Sequence, residues 1–495
     1  MSLTSTCLSN FHISSVTVVA TTISFATIFP RAFMALERTE PITSRHVVVV
    51  PYPGRGHVNA MMNLCKILSA GSPNHNLKLL ITFVLTEEWF GLIGSEEKPP
   101  NVSFATIPNV LPSELGRVAD KVGFVGATQT KMEEPFEKLL DQLQSPVHII
   151  VADTFLNWCV EIGNRRNIAV ASYWTMPSSV FSSFYYSDLI VQNGHFPFEL
   201  SDRGEERIDY IPGISSIRLA DLPSLYREKD QRLLHLALQV FPNVSKAQYL
   251  LSTSIFELEP QVINALKQEF LFPVYSLGPM VPYFNPEKTS RYTTSQNDPH
   301  YLQWLSSQPP NSVLYVSLGS FLTVSSAQMD EIAGGLEESG VRYLWVARED
   351  TARFKEKCNS RGMIIPWCEQ LKVLCHSSVG GFWTHCGWNS TMEGIFAGQP
   401  MLTLPIQMDQ TTISKFIVED WKTGWDVKRE AGGGDLLRRE EIAKLVKRFL
   451  DPESKERREM IPRARELQEI CYRAIAEGGS SKMNLDAFLD NIAGH

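Results

Sequence analysis

This chain of 495 residues lacks the features on which several classes of protein depend. Its eight cysteines are scattered and form no Cys-x-x-Cys pair. That argues against a disulfide framework or a zinc site and fits a reducing compartment. No block of basic residues occurs, and 46 Lys and Arg stand against 54 Asp and Glu, for a net charge of −8. A nucleic-acid surface needs the opposite sign gathered on one face. There is no Asp-x-Asp triplet, which argues against a sugar transferase of the metal-dependent kind. Internal repeats and long low-complexity segments are missing too. The apolar run Val16 to Phe29 is too short to span a bilayer comfortably. What remains is ordinary globular material, 43% hydrophobic and long enough for two domains with separate cores.

Residues 1–44 differ from the rest. They are rich in Ser and Thr and contain no Lys. Val16 to Phe29 has the length of a signal-peptide core, but no basic residue precedes it. The Ser and Thr content also fits an organelle transit peptide. A third reading, which we favour, makes Met34 the true start and places the first strand near the N-terminus. The expected location is cytoplasmic, with a targeting role for residues 1–33 left open.

From Arg45 onward, buried strands alternate with helical stretches. His46 to Pro51 reads as a strand, Pro53 to His57 as a tight turn, and Val58 to Ala70 as a helix. Leu77 to Leu85 and Val147 to Asp153 are further strands, Trp158 to Arg166 a helix and Ala169 to Tyr173 a strand. This alternation predicts doubly wound parallel sheets with ligands at the C-terminal strand ends. Gly54 and Gly56 begin a dinucleotide fingerprint, but Asn59 stands where its third glycine belongs. His57 and Asp153 both fall at strand ends. Imidazole suits a general base near neutral pH, and a carboxylate can orient it and stabilise its cation. A histidine here can also be a plain cap or loop residue. Asp120 and Asp141 rival Asp153, though neither ends an apolar strand.

Residues 174–245 hold Phe181, Phe184, Tyr185, Tyr186, Phe196, Phe198, Tyr210 and Tyr226. These could line a pocket for a flat apolar molecule or pack a core. Residues 277–311 read as a linker, with Pro, Asn and Thr in the stretch that follows Leu277-Gly278-Pro279. Ser312 to Ser317 is the next strand, ending in the turn Leu318-Gly319-Ser320. Ser320 could donate to a phosphate or be a plain turn residue.

The densest chemistry lies between Trp367 and Gln410. Trp367 and Gln370 offer an aromatic face with an amide nearby, which suits a nucleobase. Val379 to Thr384 reads as a buried strand, His385 to Ser390 as a turn, and Ser390 to Ala397 as the start of a helix. A helix beginning there aims free N–H groups at the turn, where an anion is the favoured guest. Asp409 and Gln410 follow another short strand and suit a sugar's hydroxyls.

Trp367, Gln370, His376, Gly380-Gly381-Phe382, His385 to Ser390, Glu393, Gly398, Pro400, Pro405, Asp409 and Gln410 together resemble the signature box of plant secondary-product UDP-glycosyltransferases. The resemblance covers essentially Arg45 to His495. It departs from the family at Cys368-Glu369, where Ala-Pro is commoner, at Asn59 in place of a frequent Pro, and at the bulky Trp383.

The resemblance implies an α/β fold of two facing Rossmann-like domains, the GT-B type, with the active site in the interdomain cleft. Residues 45–276 would bind the acceptor and residues 312–476 the UDP-sugar. Residues 477–495 would pack back on the N-terminal domain. Trp367 would stack on uracil, Gln370 would approach ribose or base, and Glu393 would accept the ribose hydroxyls. Ser320, His385, Gly387, Asn389 and Ser390 would surround the diphosphate. Trp388, Asp409 and Gln410 would contact the sugar, with Gln410 fitting glucose. His57 would be the base and Asp153 its support. The implied reaction is inverting transfer of glucose from UDP-glucose to a small hydroxylated acceptor. It needs no metal and no cofactor beyond the co-substrate, and the expected protein is a monomer. A silent UDP-sugar binder is the alternative. A nicotinamide-dependent oxidoreductase is disfavoured by the broken glycine pattern.

Overall fold

The computed structural model describes residues 43–71, 75–117, 119–281, 299–319, 324–348, 351–355, 361–434 and 436–494. The expected extension therefore lies outside the described residues, except Thr43 and Ser44, which open the first strand. Ser320 also lies outside them.

The first half supplies strands β1 (Thr43–Val50), β2 (Leu77–Thr86), β3 (Val102–Ile107), β4 (Ile149–Asp153) and β5 (Ala169–Trp174). A small antiparallel pair, β6 (Arg207–Ile208) with β7 (Ile217–Arg218), precedes β8 (Tyr249–Ser252) and β9 (Val274–Ser276). The second half supplies β10 (Val313–Ser317), β11 (Arg342–Val346), β12 (Gly362–Ile365), β13 (Val379–Thr384), β14 (Met401–Thr403) and β15 (Gly424–Asp426).

Among the described residues, the first sheet runs β3-β2-β1-β4-β5-β8-β9 and the second β12-β11-β10-β13-β14-β15. Their strands pair in parallel. Each half therefore starts in the middle of its sheet, builds outward to one edge, then returns to the other side of its first strand. The order reverses between β1 and β4, and again between β10 and β13. Such reversal points open a crevice at the C-terminal strand ends. Helices cover both faces of a parallel sheet, so its strands are apolar on both sides. All residues of β4 and β13 are accordingly buried.

Three helices position the site and close the fold. The first, α1 (Arg55–Gly71), begins one turn earlier than its apolar spacing predicts. The Gly54 carbonyl accepts from the N–H groups of His57 and Val58, which puts His57 in the helix's first turn. The second, α2 (Trp388–Phe396), likewise starts before Ser390. The last, α3 (Ser480–Gly494), buries Leu485, Phe488, Leu489 and Ile492 in the core of the first sheet. Arg45 on β1 donates to the Ile492 and Ala493 carbonyls at 3.2 and 2.8 Å, which satisfies two carbonyls in the last turn of that helix.

Two sequence readings gain detail here. The stretch read as linker contains a helix, His300–Ser306, whose Tyr301, Leu302 and Leu305 pack into the second core. Its composition suited a loop, but its apolar residues share one face. The aromatics of 174–245 form a core of their own, with Phe181, Phe184 and Tyr226 buried among Trp174 and Phe241.

Candidate active site

His57 and Asp153 meet at the first reversal point. The His57 Nδ1 lies 2.7 Å from Asp153 Oδ2 and 3.0 Å from Thr175 Oγ1. An ionised carboxylate can only accept, so Nδ1 carries the proton and Nε2 keeps the lone pair. Asp153 is buried, and its Oδ1 accepts from the Phe155 N–H at 3.0 Å. Tyr52 and Phe155 pack beside the imidazole, at ring separations of 5.0 and 6.2 Å. The ring is thereby fixed in tautomer and direction. Asp120 caps the helix Lys121–Thr130, and Asp141 pairs with Arg166 on the surface, so neither is at the site. Thr175 was not singled out in the sequence. It directly follows β5, the neighbour of β4, and that position is the signal that could have found it.

His385 stands at the second reversal point, just past β13. Its ring is wedged between two glycines. A Cβ on Gly319 or Gly387 would come within 2.7 or 2.5 Å of His385 Nε2, so any side chain there would displace the ring. Gly319 also holds a φ of +89°, which L residues avoid. Burial pushes the His385 pKa down to about 4, and the Ser317 carbonyl opposes this only in part. The ring is neutral at physiological pH. It faces the N-terminal end of α2, where unpaired N–H groups attract an anion.

Trp367 is 67% exposed, an unusual state for a large aromatic, and forms an open shelf. Behind it runs a hydrogen-bonded chain. Tyr315 OH donates to Gln370 Oε1 at 3.0 Å, and Gln370 Nε2 donates to Ser390 Oγ at 2.9 Å and to Glu393 Oε2 at 2.5 Å. The Gln370 amide is thus engaged in orienting Glu393 rather than free for a ligand. Burial pushes the Glu393 carboxyl up to about 7, with the Gln370 bond pulling the other way.

Several box residues serve contacts between the two halves. The Trp388 indole N–H donates to Thr253 Oγ1 at 3.0 Å, so its polar edge is already occupied. Asn389 Nδ2 donates to the Gly56 carbonyl at 2.7 Å, beside His57. Gln410 Oε1 accepts from the N–H groups of Ile406 and Gln407 at 2.7 and 3.1 Å and stiffens the loop before it. Asp409 is pushed up to about 6 by burial, against the pull of its own backbone N–H and of the facing His57.

A cavity of about 420 Å³ joins these groups. His57, His385, Trp388, Asn389, Asp409 and Gln410 line it together. Its apolar wall comes from Tyr52, Trp89, Phe155, Leu225 and Met408. Of the aromatics named from residues 174–245, Phe184 alone reaches it. The others were candidates because composition shows that a side chain is aromatic, not which cavity it meets. Among the described residues, no cluster of three or more His, Cys, Asp and Glu could hold a metal ion. Nor is any described helix long and apolar enough to cross a membrane.

Residues 266–436 match the family described as "UDP-glucoronosyl and UDP-glucosyl transferase". The chain is 49% identical over 454 residues to UDP-glycosyltransferase 87A2 of Arabidopsis thaliana, covering 91% of this chain and 98% of that one. Among solved structures it is similar to UGT71G1 of Medicago truncatula complexed with UDP-glucose, with a TM-score of 0.74 and 26% identity, covering 91% and 98% of the two chains. It is also similar to UGT2 of Phytolacca americana complexed with UDP-2fluoro-glucose and pterostilbene, with a TM-score of 0.74 and 26% identity over 91% and 100%.

Proposed function

The chain belongs to the UDP-glucoronosyl and UDP-glucosyl transferase family, as a plant UDP-glycosyltransferase with a GT-B fold, and from that premise we propose an inverting glucosyl transfer to a small, largely apolar acceptor. The observation that carries this reading is the contact of His57 with buried Asp153 on the wall of a cavity that Asp409 and Gln410 also line.

Trp367 would stack on uracil, and Glu393, held by Gln370, would take the two ribose hydroxyls. Ser390 would donate to the diphosphate together with the first N–H groups of α2, with the neutral His385 ring packed beside them, and Gly387 lets that backbone come close. Asn389 would join them by exchanging its bond to Gly56. Ser320, which follows Gly319, belongs with this group by sequence. As the bond from the anomeric carbon to the diphosphate breaks, negative charge grows on the departing oxygen, and these donors meet it. Asp409 and Gln410 would hold the glucose, with Trp388 contributing through its backbone and ring.

The acceptor hydroxyl would give its proton to His57 Nε2 while its oxygen attacks the anomeric carbon from the face opposite UDP. Asp153 would stabilise the resulting imidazolium through Nδ1–H. One displacement turns an α-linked donor into a β-glucoside, and a carboxyl acceptor would follow the same course. No metal or further cofactor is needed, because the leaving charge is met by protein donors. One chain supplies both halves of the site, so a monomer suffices.

The test is UDP release on mixing the purified protein with UDP-glucose and a pool of plant phenols and terpenoids, without added metal. Acceptor-dependent release, with a β-glucoside seen by NMR, is the expected result. Tight UDP binding with no release from any pool would point instead to a silent binder, and an α-linked product would overturn the single displacement.

A further inference from the structure

We propose that Ser224, in the first half of the chain, positions the loop that carries Asp409 and Gln410, and so governs how the donor's sugar is held. This rests on the assignment of Asp409 and Gln410 to the sugar. Ser224 is buried, and it matches both backbone polar groups of Met408. Its N–H donates to the Met408 carbonyl at 2.8 Å, and its Oγ accepts from the Met408 N–H at 2.8 Å. Met408 needs such support, because its φ of +62° is a conformation that side-chain-bearing residues adopt at a cost. Asp409 follows directly, so the direction in which its carboxylate leaves the loop depends on Met408 keeping that φ.

The far side of the loop is tied to the same segment. Thr411 Oγ1 donates to the Leu222 carbonyl at 2.9 Å, and Thr412 Oγ1 donates to the Asp221 carbonyl at 2.6 Å. Ahead of Met408, the Lys121 ammonium donates to Gln407 Oε1. Asp409 and Gln410 are therefore bracketed by bonds to residues 221–224, although their own sheet lies in the other half of the chain. Leu225, next to Ser224, lines the cavity on its apolar side, as Met408 does. One short segment of the acceptor half thus touches the acceptor space and fixes the sugar loop. Recognition of the sugar is shared between both halves, while the uridine would rest on Trp367 and on Glu393, held by Gln370, in the second half.

That division separates a positioning role from simple adhesion between the halves. UDP reports the nucleotide shelf and the diphosphate donors; UDP-glucose adds the sugar contacts. Calorimetry should compare both ligands on the parent protein, Ser224→Ala, Thr411→Val and Asp409→Asn, with thermal midpoints confirming folding. In Ser224→Ala, UDP affinity should stay within about twofold of the parent. UDP-glucose affinity should fall about tenfold, the scale of a buried N–H left without its acceptor. Thr411→Val should move the same ratio in the same direction by less. Equal weakening of both ligands, or an unchanged ratio in both variants, would overturn the proposal. Should Ser224→Ala fail to fold, Thr411→Val decides alone. An unchanged ratio in Asp409→Asn would instead sink the sugar assignment, and the proposal with it.

Discussion

His57 and His385 occupy equivalent places in two sheets of the same winding, and their surroundings give them opposite chemistry. Each stands where the strand order reverses, just beyond a C-terminal strand end. The first is partly open to the cavity and leans on a buried carboxylate, so a proton arriving at its ring has a counter-charge waiting. The second is walled in by Gly319 and Gly387, and burial holds it near 4, so it stays neutral. In the proposed reaction the first gains a proton during turnover, whereas the second stays neutral, with one donor and one acceptor nitrogen. The topology sets where an imidazole stands, and the neighbouring carboxylate or its absence sets what that imidazole does.

The largest effect that would break this contrast is at the first histidine. His57→Ala should lower kcat by about 10²- to 10⁴-fold, the range of general-base catalysis, with UDP affinity unchanged. Asp153→Asn should fall in the same measurement by less, because the ring remains but loses its orienting charge. A normal rate in His57→Ala, read as UDP release under saturating donor, would mean that the two histidines do not differ in role. Next in size, His385→Gln should weaken UDP by about tenfold in calorimetry, since the ring packed between Gly319 and Gly387 is replaced while the base stays intact. That loss should be constant between pH 6 and 9, because a ring titrating near 4 is neutral throughout. A loss that grows with falling pH would show His385 to be cationic in the complex.

The smallest effect concerns Glu393. Its carboxyl titrates near 7, and the charged form is the one that accepts two hydroxyls. UDP affinity should therefore rise a few-fold as pH increases through about 7, and Glu393→Gln should flatten the profile. In the unliganded protein the sign is opposite. A carboxyl raised by burial contributes stability that is full below its unfolded value of 4.5 and is lost as pH rises through about 7. The melting temperature of the free protein should fall between pH 5 and 8, and Glu393→Gln should remove that part of the slope.

Much of this site was legible in the sequence because it is written at strand ends. Trp158–Arg166 and Val379–Thr384 occupy the ranges that their patterns indicate. His57 and Asp153 could be paired because each follows an apolar strand. The cavity's apolar wall was not legible. Tyr52, Trp89, Leu225 and Met408 come from four distant segments, and only the packed chain brings them together. The roles of Gln370, Trp388 and Asn389 were hidden for a related reason. A polar side chain in a signature reads as a ligand contact, whereas here each hydrogen-bonds another part of the protein, within its own half or across the cleft. Ser224 gave no signal at all, since a lone serine carries no period and its partner lies 184 positions away.

The return of α3 to the first sheet bears on how the protein is made. Phe488, Leu489 and Ile492 fill the same core as Val47, Leu64 and Phe83. A ribosome delivers the first sheet before α3, yet that sheet's core stays unfinished until α3 has left the exit tunnel. The second sheet, whose core clusters include no residue of α3, can be complete by then. The half made first is the half finished last, and during that wait its uncovered apolar face is the surface a chaperone would meet.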